Sequence, residues 1–253
     1  MRILAVAHNT FREAVRDKVL YVLLFFAAVT VLGSKALGWV SIGQDIKIVK
    51  DISLAAVLVF GVLIAIFVGT SLIYKEIDKR TLYTILCRPM YRYEFVLGKY
   101  LGLAALLALV TVVMTVVTAV YVLILSGDLD WTFFLAVLLI YWELLLVTAF
   151  AVLLSTLTSP ILGALIVFSM FVLGNATSIL IDLPKQLEGS LAERLLRTVY
   201  YVVPNLSNFD IRAEAANEIP VTRLYVGWTL VYGAAYTAVL LVAAALVFQD
   251  KDV

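Results

Sequence analysis

The chain has 253 residues, is 64% hydrophobic and only 15% charged, and carries a formal net charge of +1. A soluble domain of this size is about 45–50% apolar, so water cannot be the solvent all round and lipid must take its place. The near-neutral balance gives no argument for nucleic acid as a partner, and the lone Cys87 excludes a disulfide framework or a Cys-rich metal site.

The first element is amphipathic. Residues 3–15 place Ile3, Leu4, Ala7, Phe11, Ala14 and Val15 on one helical face, with Arg12, Arg16 and Asp17 opposite. This predicts an interfacial helix over 1–18. His8, Glu13 and Asp17 in this stretch argue against a cleavable signal.

Six apolar stretches follow, each near the roughly 20 residues that a helix needs to cross a bilayer. They run from Val19 to Val40, Leu54 to Tyr74, Tyr100 to Leu125, Trp131 to Leu154, Ile161 to Ile181 and Leu224 to Phe248. Hydrocarbon offers no partner to backbone N–H and C=O groups, so these must be helices. The expected fold class is an all-α membrane protein of six spans in one domain.

Lys and Arg set the orientation. Four precede span 1 (Arg2, Arg12, Arg16, Lys18), and six lie between spans 2 and 3 (Lys75, Lys79, Arg80, Arg88, Arg92, Lys99). The stretch from Asp182 to Arg223 has five, against six acids. Both termini and the 75–99 loop are therefore expected on the cytoplasmic side, with Lys47 and Lys50 in an outer loop.

The 75–99 loop concentrates charge. Glu76 and Arg80 are spaced i,i+4 on a helix continuing from span 2. Pro89 breaks that helix and restricts Arg88. A short new helix is expected to begin at Met90 and carry Tyr91, Arg92, Glu94 and Phe95, with Gly98-Lys99 turning the chain into span 3. Such an aromatic and charged segment suits the cleft of another protein. The alternative is a solvated loop that only fixes topology.

Within the spans, Glu143 is the one mid-span carboxylate. A charge there costs about 2.5–3.5 kcal/mol on insertion scales. It either lines a pathway or takes a structural hydrogen bond from a neighbouring helix. Tyr141 and Asn175 are the other pathway candidates, with interface anchoring and interhelical bonding as their alternatives. Between spans 5 and 6, Leu187 to Val203 has helical apolar spacing, so 182–222 reads as an extracytoplasmic segment with amphipathic helices.

The run Glu76-x3-Arg80-Thr81-Leu82-x3-Leu86-x2-Pro89-x2-Arg92-x2-Phe95-x2-Gly98-Lys99 resembles the signature of type-2 ABC exporter permeases. The resemblance implies that 1–18 is an elbow helix and that the 75–99 loop holds a coupling helix. On that basis Glu76, Arg80, Arg88, Pro89, Arg92, Glu94 and Phe95 meet a separate nucleotide-binding ATPase. Tyr201 to Asp210 further resembles permeases linked to the maturation of multi-copper enzymes.

No Gly-x4-Gly-Lys-Ser/Thr phosphate cradle occurs, so the chain is not expected to be an enzyme. It should carry no cofactor or metal, with ATP and Mg on the partner ATPase. The resemblance implies alternating access by a dimer, formed with a second copy or a homologous permease, in a prokaryotic inner membrane. The alternative is a mechanotransmission or scaffold subunit acting on an extracytoplasmic protein without moving a solute.

Overall fold

The computed structural model describes residues 2–16, 25, 45–74, 91–126, 128, 130–176 and 203–249. Among them the chain forms seven α-helices, one 3-10 turn and no strand. The helices are α1 (Arg2–Arg16), α2 (Asp45–Ser71), α3 (Arg92–Ser126), α4 (Trp131–Leu157), α5 (Pro160–Asn175), α6 (Arg212–Ala216) and α7 (Arg223–Gln249). The 3-10 turn is Leu206–Phe209. Four of them, α2, α3, α4 and α7, are long and apolar enough to cross a membrane. At 1.5 Å per residue, α2, α4 and α7 are each about 40 Å long and α3 about 52 Å.

The centre of the bundle is α4, which packs against α2, α3, α5, α6 and α7. It buries Ala136, Leu139, Ile140, Leu144, Val147, Ala151 and residues around them. Asp130 starts it by accepting a hydrogen bond from the Thr132 N–H at 3.3 Å. A hydrogen bond from the Thr132 side chain, helped by the Thr132 and Trp131 backbone N–H groups, holds the Asp130 carboxyl below the usual carboxylate range. Pro160 starts α5, where a missing N–H costs nothing.

The end of the bundle where α1 lies and α3 begins is termed lower here; α2, α4 and α7 also finish there. The α3–α4 turn marks the upper end.

The predicted elements and the observed ones differ in two places, and two further expectations fall wholly or partly outside the described residues. Span 1 lies outside the described residues apart from Phe25, whose ring meets Phe60 of α2 edge-on at 5.7 Å. The second span starts earlier than Leu54: α2 runs unbroken from Asp45, so Lys47 and Lys50 are helical. Lys50 is 1% exposed and pairs with Glu218 at 2.7 Å, which is why two lysines there do not make a loop. Gly98-Lys99 does not turn the chain, because α3 is continuous from Arg92. For span 5 the described helix is α5, Pro160–Asn175, about 24 Å long, and the expected stretch from 177 to Ile181 lies outside the described residues.

The helix expected over 1–18 is present as α1, but its packed face only partly coincides with the expected one. Val6, Thr10 and Ala14 face α3, while Leu4 and Val15 are exposed. Close approach explains the choice: α1 rests on Gly98 and Gly102 of α3. Glu13 adds an ion pair to Lys99 at 3.9 Å.

Candidate functional site

Two places in the fold bear on function: a polar centre beside α4 and the lower end near the 75–90 loop. Glu143 is 1% exposed in mid-α4. Asn175, at the end of α5, donates from Nδ2 to Glu143 Oε1 at 3.1 Å and to the Phe171 carbonyl at 3.1 Å. Glu143 Oε2 has no hydrogen-bond partner among the described residues.

The segment from 203 to 216 closes over this region. Leu206, Phe209, Ile211 and Ala215 are buried, although the sequence places them in a surface segment. Leu206 and the Pro204 carbonyl lie against Gly174. Phe209 reaches Gly233, ten residues into α7, or about 15 Å from its upper end. The Asn205 N–H donates to the Tyr232 hydroxyl at 2.8 Å, and Asn205 Oδ1 accepts from Ser207 N–H at 3.1 Å. Trp142 Nε1 donates to the Leu230 carbonyl at 3.1 Å, fixing α7 against α4.

Asp210 and Arg212 sit at the end of this segment. Arg212 donates to both oxygens of Asp210, each at 2.7 Å. These bonds hold the Asp210 carboxyl below its ordinary range. The same pair acts electrostatically on Glu143, and Asp51 of α2 acts on Arg212. The polar centre is therefore Glu143 with Asn175 bonded to it, with the Asp210–Arg212 pair within electrostatic reach but joined to them by no hydrogen bond among the described residues. Sequence reading missed Asp210 and Arg212; the signal was the Asp-x-Arg spacing directly after the apolar Leu206 and Phe209.

Tyr141 is not part of this centre. It lies two residues from Glu143, hence on the other side of α4, and donates to the Ala104 carbonyl of α3 at 3.2 Å. Asn175 is brought to Glu143, a pairing that the sequence readings of the two residues did not specify. Glu143→Gln keeps an acceptor for Asn175, so yield and melting temperature should hold. Glu143→Leu removes it and should cost about 1–3 kcal/mol. Melting curves of the two purified variants check this, and equal losses would exclude the Asn175 bond as the cause.

At the lower end, Glu76, Arg80, Arg88 and Pro89 lie outside the described residues. Arg92, Glu94 and Phe95 are described, and each has an internal partner. Glu94 Oε2 accepts from the Tyr91 N–H at 3.1 Å, the Glu half of a capping box at the start of α3. Arg92 Nη1 donates to the carbonyls of Phe248 and Gln249 at the end of α7, at 3.1 and 2.7 Å. Phe95 stacks on Phe248. Tyr91 and Tyr93 are exposed beside them.

The family description "ABC-2 family transporter protein" matches residues 4–253. This chain belongs to the ABC-2 transporter family. An ABC-2 chain is the membrane component of an ABC transporter, embedded in the bilayer beside a separate ATPase subunit and not itself the ATPase. The apolar helices of this ABC-2 protein agree with a multi-pass membrane subunit. No curated protein matches it.

Proposed function

We propose that this ABC-2 subunit is the permease of an ATP-driven exporter in a prokaryotic inner membrane. Its lower end faces the cytoplasm and its 75–90 loop docks the ATPase. Two copies, or this chain and a homologue, enclose the pathway and work by alternating access. ATP and Mg bind the partner, and no cofactor is needed here. The observation that carries this reading is the pair of unbroken helices flanking the loop: α2 and α3 run from it to the far end of the bundle. Displacement of the loop therefore reaches the upper end along rigid rods.

The polar centre is the candidate pathway site, with Glu143 as its acid and Asn175 as its amide. Glu143→Gln should change transport per molecule with assembly intact. Copper maturation finds no support in the described residues, which hold no group of three or more His, Cys, Asp or Glu placed to bind a metal.

The test is co-purification of the tagged chain from detergent, wild type beside a Glu76/Arg80/Arg88 alanine variant. These three are chosen because Arg92, Glu94 and Phe95 have internal roles whose loss would confuse the result. A P-loop ATPase should follow the wild type and be lost from the variant. Equal recovery in both would leave the loop as a topology signal only.

One observation favours a mechanotransmission reading. The exposed turn 217–220 is fastened through Lys50 to α2, which leads to the loop. An outer protein seated on that turn would be moved by the ATPase with no solute crossing. ATPase activity that answers to an outer protein, and to no solute or lipid, separates this from export.

A further inference from the structure

The last four carbonyls of a helix have no donor within it. At α7 two of these, Phe248 and Gln249, are taken by one side chain of another helix, Arg92. One turn along α3, Phe95 stacks on the Phe248 ring at 5.7 Å and 18°, and both rings are buried. Arg92 stands at the first position of α3. There the dipole of its own helix disfavours a cation, whereas the end of α7 favours one. The bond from Tyr91 to Glu94 fixes the turn that carries it. Elsewhere α7 packs mainly on α4 and leaves its other faces open, with 11% of its apolar stretch buried against 61% for α4.

We propose that Arg92 is a positioning residue that fastens the downstream flank of the 75–90 loop to the end of α7. The lower ends of α3 and α7 then move as one body, and a push on the loop reaches the last span without passing through α4. This rests on reading the loop as the ATPase dock. Within that reading Arg92 faces inward. The exposed Tyr91 and Tyr93, stacked at 5.5 Å and 17°, are the residues left on this turn to face the partner.

Pulsed electron paramagnetic resonance tests the clamp in the complex of this chain with its co-purified ATPase, reconstituted in nanodiscs. Spin labels go on Leu101→Cys of α3 and Leu246→Cys of α7, both exposed, with Cys87 replaced by Ser. The wild type should give one narrow distance that is the same without nucleotide and after vanadate trapping. Arg92→Ala should broaden it in both states while retaining the ATPase, and Arg92→Lys should narrow it again in part.

A wild-type distance that changes on trapping would overturn the proposal, as would an Arg92→Ala distribution identical to wild type. Loss of the ATPase from Arg92→Ala would make Arg92 a docking residue instead. If the wild type binds no ATPase, the docking reading falls and the transmission role falls with it. The nucleotide-free distances then still decide whether Arg92 holds the two helices together.

Discussion

Replacing Glu218 by glycine is expected to lower the melting temperature of the purified chain, against the direction that backbone conformation alone dictates. Glu218 has φ 59°, in the left-handed region where glycine is at ease. It follows α6, which closes with Ile219 N–H donating to the Glu214 carbonyl at 2.9 Å and Asn217 N–H to Ala213 at 3.0 Å. A glycine is usual at this position, and installing one should recover about 1 kcal/mol of strain.

The carboxylate weighs more. Glu218 is the partner of the Lys50 ammonium, which is buried. Stripping the partner from a buried charge costs about 3–5 kcal/mol. That figure is reduced here because the Glu218 side chain is 62% exposed and solvent screens the pair. Asp130 also lies within electrostatic reach of Lys50. A net loss of about 1–2 kcal/mol remains, or a few degrees in a chain of this size. Lys50→Met combined with Glu218→Gly should recover the loss, since no charge is then buried. A single Glu218→Gly variant that melts higher than wild type would show that strain outweighs the ion pair.

Gly102→Val should detach α1 from α3. A Cβ built on Gly102 stands 2.6 Å from the Ala7 carbonyl oxygen and 2.6 Å from Thr10 Cβ. One of those atoms is backbone, so no rotamer change can make room. Gly98, one turn earlier, meets Val6 Cβ at 2.7 Å, and the two glycines form a small-x3-small seat of the kind that lets helices approach closely in membranes. Overpacking costs about 1–3 kcal/mol. Relief by lifting α1 also breaks the Glu13–Lys99 pair. The expected result is a chain that still inserts but shows faster proteolysis after Arg12 and Arg16. Unchanged proteolysis with a lower melting temperature would mean that the strain spreads into the bundle and α1 stays put.

Much of this fold is written locally. The amphipathic pattern over 3–15 and the apolar runs of α3, α4 and α7 need no tertiary knowledge. Gly98 was legible as a special position but not as a helix contact, because its partner is 90 or more residues away in the chain. Lys50 reads as a loop residue until Glu218, 168 positions later, is placed against it. The polar centre was half visible. Glu143 stands out as an acid in an apolar run, whereas Asp210 and Arg212 look like ordinary surface charges. What hides them is Leu206 and Phe209, which draw the segment into the bundle.

The short α5 has a consequence for the bilayer itself. Its described helix is about 24 Å long beside an α3 of about 52 Å, and its exposed face of Ile161, Leu165 and Phe168 is apolar along its length. A hydrocarbon slab of about 30 Å matches neither rod. Where the described α5 faces lipid it spans about 24 Å of the slab, while α3 is longer than the slab and must tilt within it or reach past it. Hydrophobic mismatch of this kind costs fractions of a kcal/mol per Å, so the thickness of the surrounding lipid bears on how far α3 tilts.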